Sequence, residues 1–311
     1  MAFTTTIDAD ALRALIGKPG TVLLDCRFDL AAPEAGRQAY RRGHIPTARY
    51  LDLNRDLSAP VSRDSGRHPL PDPRRLAATL ERRGLTREAQ AIAYDDSNAA
   101  FAARAWWLLR WIGHRNAAVL DGGLAAWLDA GGTLQSGDPM PERGGASSDD
   151  TGAPRGVGAP RDVGAPRGAG SAAGQDGSQA ARDVVVTTRQ LIEALEDPRR
   201  KLIDARAPER FAGAVEPIDA VAGHIPGAVN HPFDANLRGD GRFLPREELA
   251  RRWRERLGGT SPADAIVMCG SGVTACHNLL ALELAGLGGA KLYAGSWSEW
   301  IRDPARPVAR G

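Results

Sequence analysis

The chain repeats itself. "LLDCR" at 23–27 returns as "LIDAR" at 202–206, and "GHIP" occurs at both 43–46 and 223–226. "AIAYDD" (91–96) matches "AIVMCG" (265–270), and "LDGGLAAW" (120–127) matches "YAGSWSEW" (293–300). The four matches keep one order and lie 179, 180, 174 and 173 residues apart. One four-letter match would mean little; four in register mean a duplicated domain, so the 311 residues must build one plan twice.

The repeat sets the boundaries: 1–134 for the first domain and 183–311 for the second, with 135–182 between them. That segment carries "GAPR" three times and almost no large apolar residue. It cannot bury enough surface to offset the entropy of ordering, and is expected to be a flexible linker. Its five arginines meet six acids, which speaks against a basic docking tail.

Inside each copy, short apolar runs alternate with helical patterns. "TVLLDC", "AIAY" and "AAVL" read as buried strands, and "KLIDA", "AIVMC" and "AKLY" are their counterparts. Between them lie helix-like stretches, among them "PRRLAATLERRG", "AAFAARAWWLLRWIG", "REELARRWRERLG" and "TACHNLLALELAGL". The alternation predicts an α/β fold with a mainly parallel sheet covered on both faces. In such a sheet the site belongs at the carboxyl ends of the strands.

Composition removes several classes. A net charge of +2 is too balanced for nucleic acid to be the main partner. Three cysteines, Cys26, Cys269 and Cys276, are too few for a disulfide scaffold. The N-terminus shows no secretory signal, and the most apolar stretch is interrupted by Arg104 and Arg110. The expectation is a cytoplasmic protein without a membrane span.

Chemistry concentrates in "MCGSGVTACHN", 268–278. Cys269 ends an apolar run and is followed by Gly270, Ser271, Gly272, Val273 and Thr274, with a helix expected near Ala275. The glycines let successive amides turn inward as an anion-binding nest, and the helix adds its positive end. A cysteine held there is expected to be a thiolate near neutral pH, with Ser271 and Thr274 as hydroxyl donors. The first copy has Asp95 at that place and no glycine in its loop, which points to division of labour after duplication. A cysteine-based phosphatase needs an arginine six positions on; here that residue is Ala275. Cys276 reads as a packing residue, and a Cys276–His277 metal pair lacks further ligands at suitable spacing.

The sequence resembles the tandem-domain rhodanese-type sulfurtransferases over residues 5–135 and 184–303. "CGSGVTA" resembles the active loop of the 3-mercaptopyruvate branch; "GHIPGAV", "HPLPDP", "LDGGLAAW" and "GSWSEW" also match. The resemblance implies that Cys269 takes sulfur from 3-mercaptopyruvate as a persulfide held by the amides of Gly270 to Ala275. Cyanide or a thiol such as thioredoxin then accepts it, with no cofactor or metal. It further implies Arg210 as the substrate arginine, and a proton relay between Ser271 and a histidine, for which His44 is the candidate. His224 occupies the equivalent place in the second copy, so a turn-capping role competes for His44. Arg206 is expected to anchor the sheet end by a local ion pair. Mercaptopyruvate enzymes often carry another arginine after "EP"; here Glu216-Pro217 is followed by Ile218-Asp219. That departure keeps thiosulfate:cyanide transfer, or a persulfide carrier without turnover, open as alternatives.

Overall fold

The computed structural model describes residues 2–137 and 183–311. From residue 138 to 182, the segment expected to be a linker lies outside the described residues. The chain stays attached to the first half slightly beyond the expected boundary: Gln135 exchanges two backbone hydrogen bonds with His44, and Gly137 N–H donates to Arg41 O.

The first half carries strands β1 (Thr6–Ile7), β2 (Thr21–Asp25), β3 (Arg49–Tyr50), β4 (Gln90–Tyr94) and β5 (Ala117–Leu120). Its helices are α1 (Ala9–Arg13), α2 (Ala35–Arg42), α3 (Pro73–Arg82), α4 (Ala102–Trp111) and α5 (Gly123–Asp129). The second half has β6 (Val185–Val186), β7 (Lys201–Asp204), β8 (Val229–Asn230), β9 (Ala265–Met268) and β10 (Lys291–Tyr293). Its helices are α6 (Thr188–Leu195), α7 (Pro208–Ala212), α8 (Arg246–Leu257), α9 (Thr274–Leu284) and α10 (Ser296–Trp300). The sheets run β1-β5-β4-β2-β3 and β6-β10-β9-β7-β8, and every pairing in them is parallel. The two orders are the same plan built twice.

Local chemistry starts the helices. Asp8 accepts from Ala11 N–H. Asp72 accepts from the amides of Arg74 and Arg75, with Pro73 as the first helical residue. Thr187 and Gln190 form a reciprocal capping box.

The period of two along a strand then sorts the core. Val22, Leu24, Ala91, Ala93 and Val119 share one cluster with Ile203, Ala205, Val267 and Leu292 of the other sheet. Their neighbours point the opposite way, into a core private to each half: Leu23, Ile92 and Tyr94 in one, Leu202, Ile266 and Met268 in the other. Helices α4 and α9 pack together inside the shared cluster. By the same alternation Cys269, one residue past β9, faces the shared side. The loop after β9 therefore looks toward the opposite half of the molecule.

Candidate active site

The loop after β9 is held from behind by α10. Ser296 Oγ accepts from Cys269 N–H at 3.1 Å. Trp297 and Ser298 N–H donate to Cys269 O and Gly270 O at 3.0 and 2.9 Å. This leaves the Cys269 side chain, 2% exposed, turned into the loop. Gly272 N–H donates to Cys269 Sγ at 3.2 Å. Gly272 has φ +78°, and a Cβ there would lie 2.4 Å from Ala294 O. Both the backbone turn and the close approach require glycine at this position.

The first half completes the site. Arg104 of α4 is buried and donates through its two terminal nitrogens to Gly272 O (3.1 Å) and His68 O (3.2 Å). It ties the active loop to the segment ahead of α3. His68 Nδ1 lies 2.7 Å from Ser271 Oγ. Burial, then the charges of Arg104 and Arg67, lower the His68 pKa to about 3, so the imidazole is neutral.

His44 is elsewhere, and the relay expected from it is corrected. Its Nδ1 bonds Tyr40 O at 2.8 Å, its ring stacks on Tyr40 at 3.9 Å, and its backbone holds Gln135. His224 does the same in the second half, bonding Phe211 O, stacking on Phe211 and holding Ala309. The repeated "GHIP" fastens the tail of each half. The histidine that meets Ser271 lies in "HPLPDP", a motif whose position in the fold the sequence did not reveal.

The remaining loop residues take distinct places. Gly270 lies beneath two guanidinium groups: a Cβ on it would lie 2.9 Å from a terminal nitrogen of Arg67 and 3.6 Å from both terminal nitrogens of Arg210. Val273 caps α9 and Thr274 begins it, one residue earlier than expected. Ala275 packs its side chain in the shared core, so only its backbone can serve the site. Cys276 is buried, its thiol donates to Gly272 O at 3.3 Å, and burial raises its pKa to about 12. Cys26 is pushed well up by burial and by Asp25 and Asp95. Both are packing residues.

Arg210 is engaged by Glu216 (2.8 Å) and Asp219 (3.0 Å). Asp219 also pairs with Arg67 of the first half. Arg206 is occupied by Asp204 and by Gly223 O, each at 2.7 Å. It anchors the sheet end, as does its counterpart Arg27 with Asp25 and Gly43 O. Arg67 is the cation that sequence reasoning missed. The active loop contains none, and nothing in the order of residues showed that one from the other half reaches it.

The first half holds a mirror of the loop. Asp95 Oδ1 accepts from the amides of Ser97 and Ala99, and Oδ2 from those of Phe101 and Ala102, all at 2.8–2.9 Å. Asn98 and Ala99, in a loop without glycine, supply the positive φ angles, +56° and +63°. The first half holds an anion nest of four amides, where one amide reaches Cys269 Sγ in the second. In the first its own side chain fills it.

Two matching parallel sheets with one cysteine loop, met across the junction by arginines and a histidine, define a two-domain enzyme of the sulfurtransferase class. The chain belongs to the rhodanese family of sulfurtransferases. The model of the rhodanese-like domain matches residues 8–130 and again 187–303. The chain is 47% identical to a probable 3-mercaptopyruvate sulfurtransferase of Pseudomonas aeruginosa, over 100% of both chains. It is 39% identical to a putative thiosulfate sulfurtransferase of Mycobacterium tuberculosis, over 93% of this chain and 90% of that one. Among solved structures, the 3-mercaptopyruvate sulfurtransferase of Escherichia coli matches 95% of this chain and 100% of its own at 30% identity, with a TM-score of 0.71. That of Leishmania major matches 97% and 76% at 28% identity, with a TM-score of 0.75. No helix among the described residues is long and apolar enough to cross a membrane.

Proposed function

We propose that the chain transfers the sulfur of 3-mercaptopyruvate through a persulfide on Cys269. The observation that carries the reading is the meeting, at one loop, of Cys269 Sγ with its amide donor, the Ser271–His68 pair, and the guanidinium groups of Arg67 and Arg210. In the first step the Cys269 thiolate attacks the donor sulfur, and the carbon–sulfur bond breaks with its electron pair leaving on the pyruvate carbon. The proton carried by the donor thiol passes to that carbon, giving pyruvate and the persulfide anion. His68 and Ser271 are placed for this transfer, because the 2.7 Å contact between Nδ1 and Oγ gives the proton a path across the pair. The Gly272 amide and the positive end of α9 stabilise the anionic sulfur. In the second step a thiolate or cyanide attacks the outer sulfur, and the Cys269 thiolate is released.

A cavity of about 440 Å³ lined by Asn54, Ser58, Val61, Arg67, His68 and Ile218 offers the donor's approach. Arg210 is the group we assign to the donor carboxylate, because its planar fork matches two oxygens. The acceptor we propose is a small thiol or thioredoxin, and the compartment a reducing cytoplasm, in keeping with three unpaired cysteines. The test is single turnover followed by mass spectrometry. 3-Mercaptopyruvate should release one pyruvate per chain and leave one added sulfur on the peptide bearing Cys269. A sulfur on the Cys26 or Cys276 peptide instead would refute the assignment.

A further inference from the structure

Three cations and three anions surround the mouth of the site. Arg206 is held by Asp204 at 2.7 Å and pairs with Glu216 at 3.5 Å. Arg210 is held by Glu216 through its Nε and a terminal nitrogen. Asp219 then bridges what is left: one carboxylate oxygen meets Arg210, and the other meets Arg67 from the opposite half. The set is electrically balanced, so an incoming anion gains little from it as it stands.

Arg67 is positioned for more than an ion pair. Its backbone N–H donates to Ser298 Oγ at 3.0 Å, and the N–H of that same serine holds Gly270 O at 2.9 Å. One residue therefore fixes both Arg67 and the active loop. Gly66, just before it, lies so close to Gly295 O that a Cβ would approach to 2.5 Å. The Nε of Arg67 is buried without a hydrogen-bond partner, so the guanidinium has an unused donor. Its terminal nitrogen overhangs Gly270 on the same side as those of Arg210. Asp219 is 5% exposed in its side chain and lies between the two guanidinium groups. Burial pushes its carboxyl up, and the charge of Arg67 is the main pull in the other direction.

We propose that Arg67 is the second guanidinium of the donor clamp, contributed by the opposite half, and that Asp219 is a built-in carboxylate competing for that clamp and setting the donor charge it accepts. This rests on the sulfurtransferase reading above. A donor anion must take over at least one of the two arginines that Asp219 bridges. 3-Mercaptopyruvate needs one, for a single carboxylate, and leaves the other with Asp219. Thiosulfate is a dianion and would crowd a second negative group against Asp219. The Asp219 position thus favours the monoanionic donor, although a second cation is present.

The experiment is steady-state kinetics of the full chain with each donor, with cyanide as acceptor, in wild type, Asp219→Asn, Asp219→Glu, Arg67→Gln and the double variant. Asp219→Asn should lower KM for thiosulfate by about tenfold, the effect of one charge-assisted contact, and for 3-mercaptopyruvate by less. The thiosulfate to 3-mercaptopyruvate ratio of kcat/KM should therefore rise. Asp219→Glu, which keeps the charge, should keep the ratio near wild type. Arg67→Gln should lower the ratio, and in the double variant it should remove the gain. A ratio unmoved by Asp219→Asn, or a gain that survives loss of Arg67, overturns the proposal. Arg67→Gln approaches the ion pair from its other end, so a folding defect in one variant leaves the ratio readable in the other. The yield of Cys269 persulfide in wild type separates the two levels. Normal yield with an unmoved ratio overturns the clamp alone; no persulfide with either donor overturns the sulfurtransferase reading and the clamp with it.

Discussion

Replacing Gly272 with alanine tests whether the loop backbone performs the chemistry assigned to it. Two costs can be worked from the structure. The residue has φ +78°, where an L side chain loses about 1–2 kcal/mol. The new Cβ would also sit 2.4 Å from Ala294 O, a backbone atom that must move, and relieving such overpacking costs about 1–3 kcal/mol. The chain yields where it is least tethered, and the Gly272 N–H that reaches Cys269 Sγ shifts with it. A hydrogen bond to a charged group contributes about 1.5–3 kcal/mol, so its loss should lower the rate of persulfide formation by roughly 10- to 150-fold. Gly227→Ala is the control. Gly227 has φ +81° with nothing within 4 Å of its Cβ position, so it carries the backbone penalty without the contact or the site. The assays are urea unfolding and stopped-flow release of pyruvate from 3-mercaptopyruvate. Gly227→Ala should lose stability alone, and Gly272→Ala both stability and rate. Gly272→Ala forming persulfide at the wild-type rate would refute the amide's role.

Cys269→Ser should abolish turnover with the fold intact by circular dichroism; residual turnover above background would remove the nucleophile assignment. His68→Ala should cut kcat/KM by about 10²–10⁴, whereas His44→Ala should weaken the fold near Gln135 and spare the chemistry, and the reverse pattern would restore His44 to the relay. Arg210→Ala should raise KM for 3-mercaptopyruvate by about tenfold or more, and an unchanged KM would mean the carboxylate binds elsewhere. Burial lowers the pKa of His68 and His277 to about 3 and of His231 to about 4, from 6.5. The unfolded chain therefore takes up protons that the fold excludes as pH falls below about 6.5. Their contribution is complete above that value and is lost toward about pH 4 to 3, at up to about 1.4 kcal/mol per pH unit for each. His231→Asn should flatten the fall in urea stability between pH 6.5 and 5, and an unaltered slope would show that His231 takes up a proton in the fold.

The internal repeat made most of the fold legible, because a duplicated pattern fixes strand, helix and order twice over. The strands it did not reveal are β1, β3, β6 and β8, each two residues long. Two residues have no period, and pairing with a neighbour alone makes them strands. The Cys269 loop stood out in the sequence through the contrast of Cys269 with Asp95. The histidine beside Ser271 was misread for a physical reason. "GHIP" stands out because both halves keep it, and both keep it because both need the tail clamp that His44 and His224 make. Function lies where the copies differ. At the same offset of 174 residues that carries Asp95 to Cys269, His68 becomes Arg242 and Arg67 becomes Gly241. Even that comparison could not show which loop they would face. The sorting of β9 toward the shared core decides it, and this emerges only when the two sheets are set together.

The filled nest of Asp95 has a consequence for the other half. Four amides fastened to one carboxylate fix the entry to α4, and nine residues beyond Asp95, Arg104 leaves that helix to grip Gly272 O and His68 O. A loop with an empty nest would need a passing anion to take the same shape, and the grip would loosen whenever the anion left. With the counter-charge covalently attached, the scaffold keeps its setting through every catalytic cycle, whatever anions the surrounding solution holds. The first half therefore works as a jig: a nest latched by its own carboxylate sets the helix from which Arg104 holds the Cys269 loop.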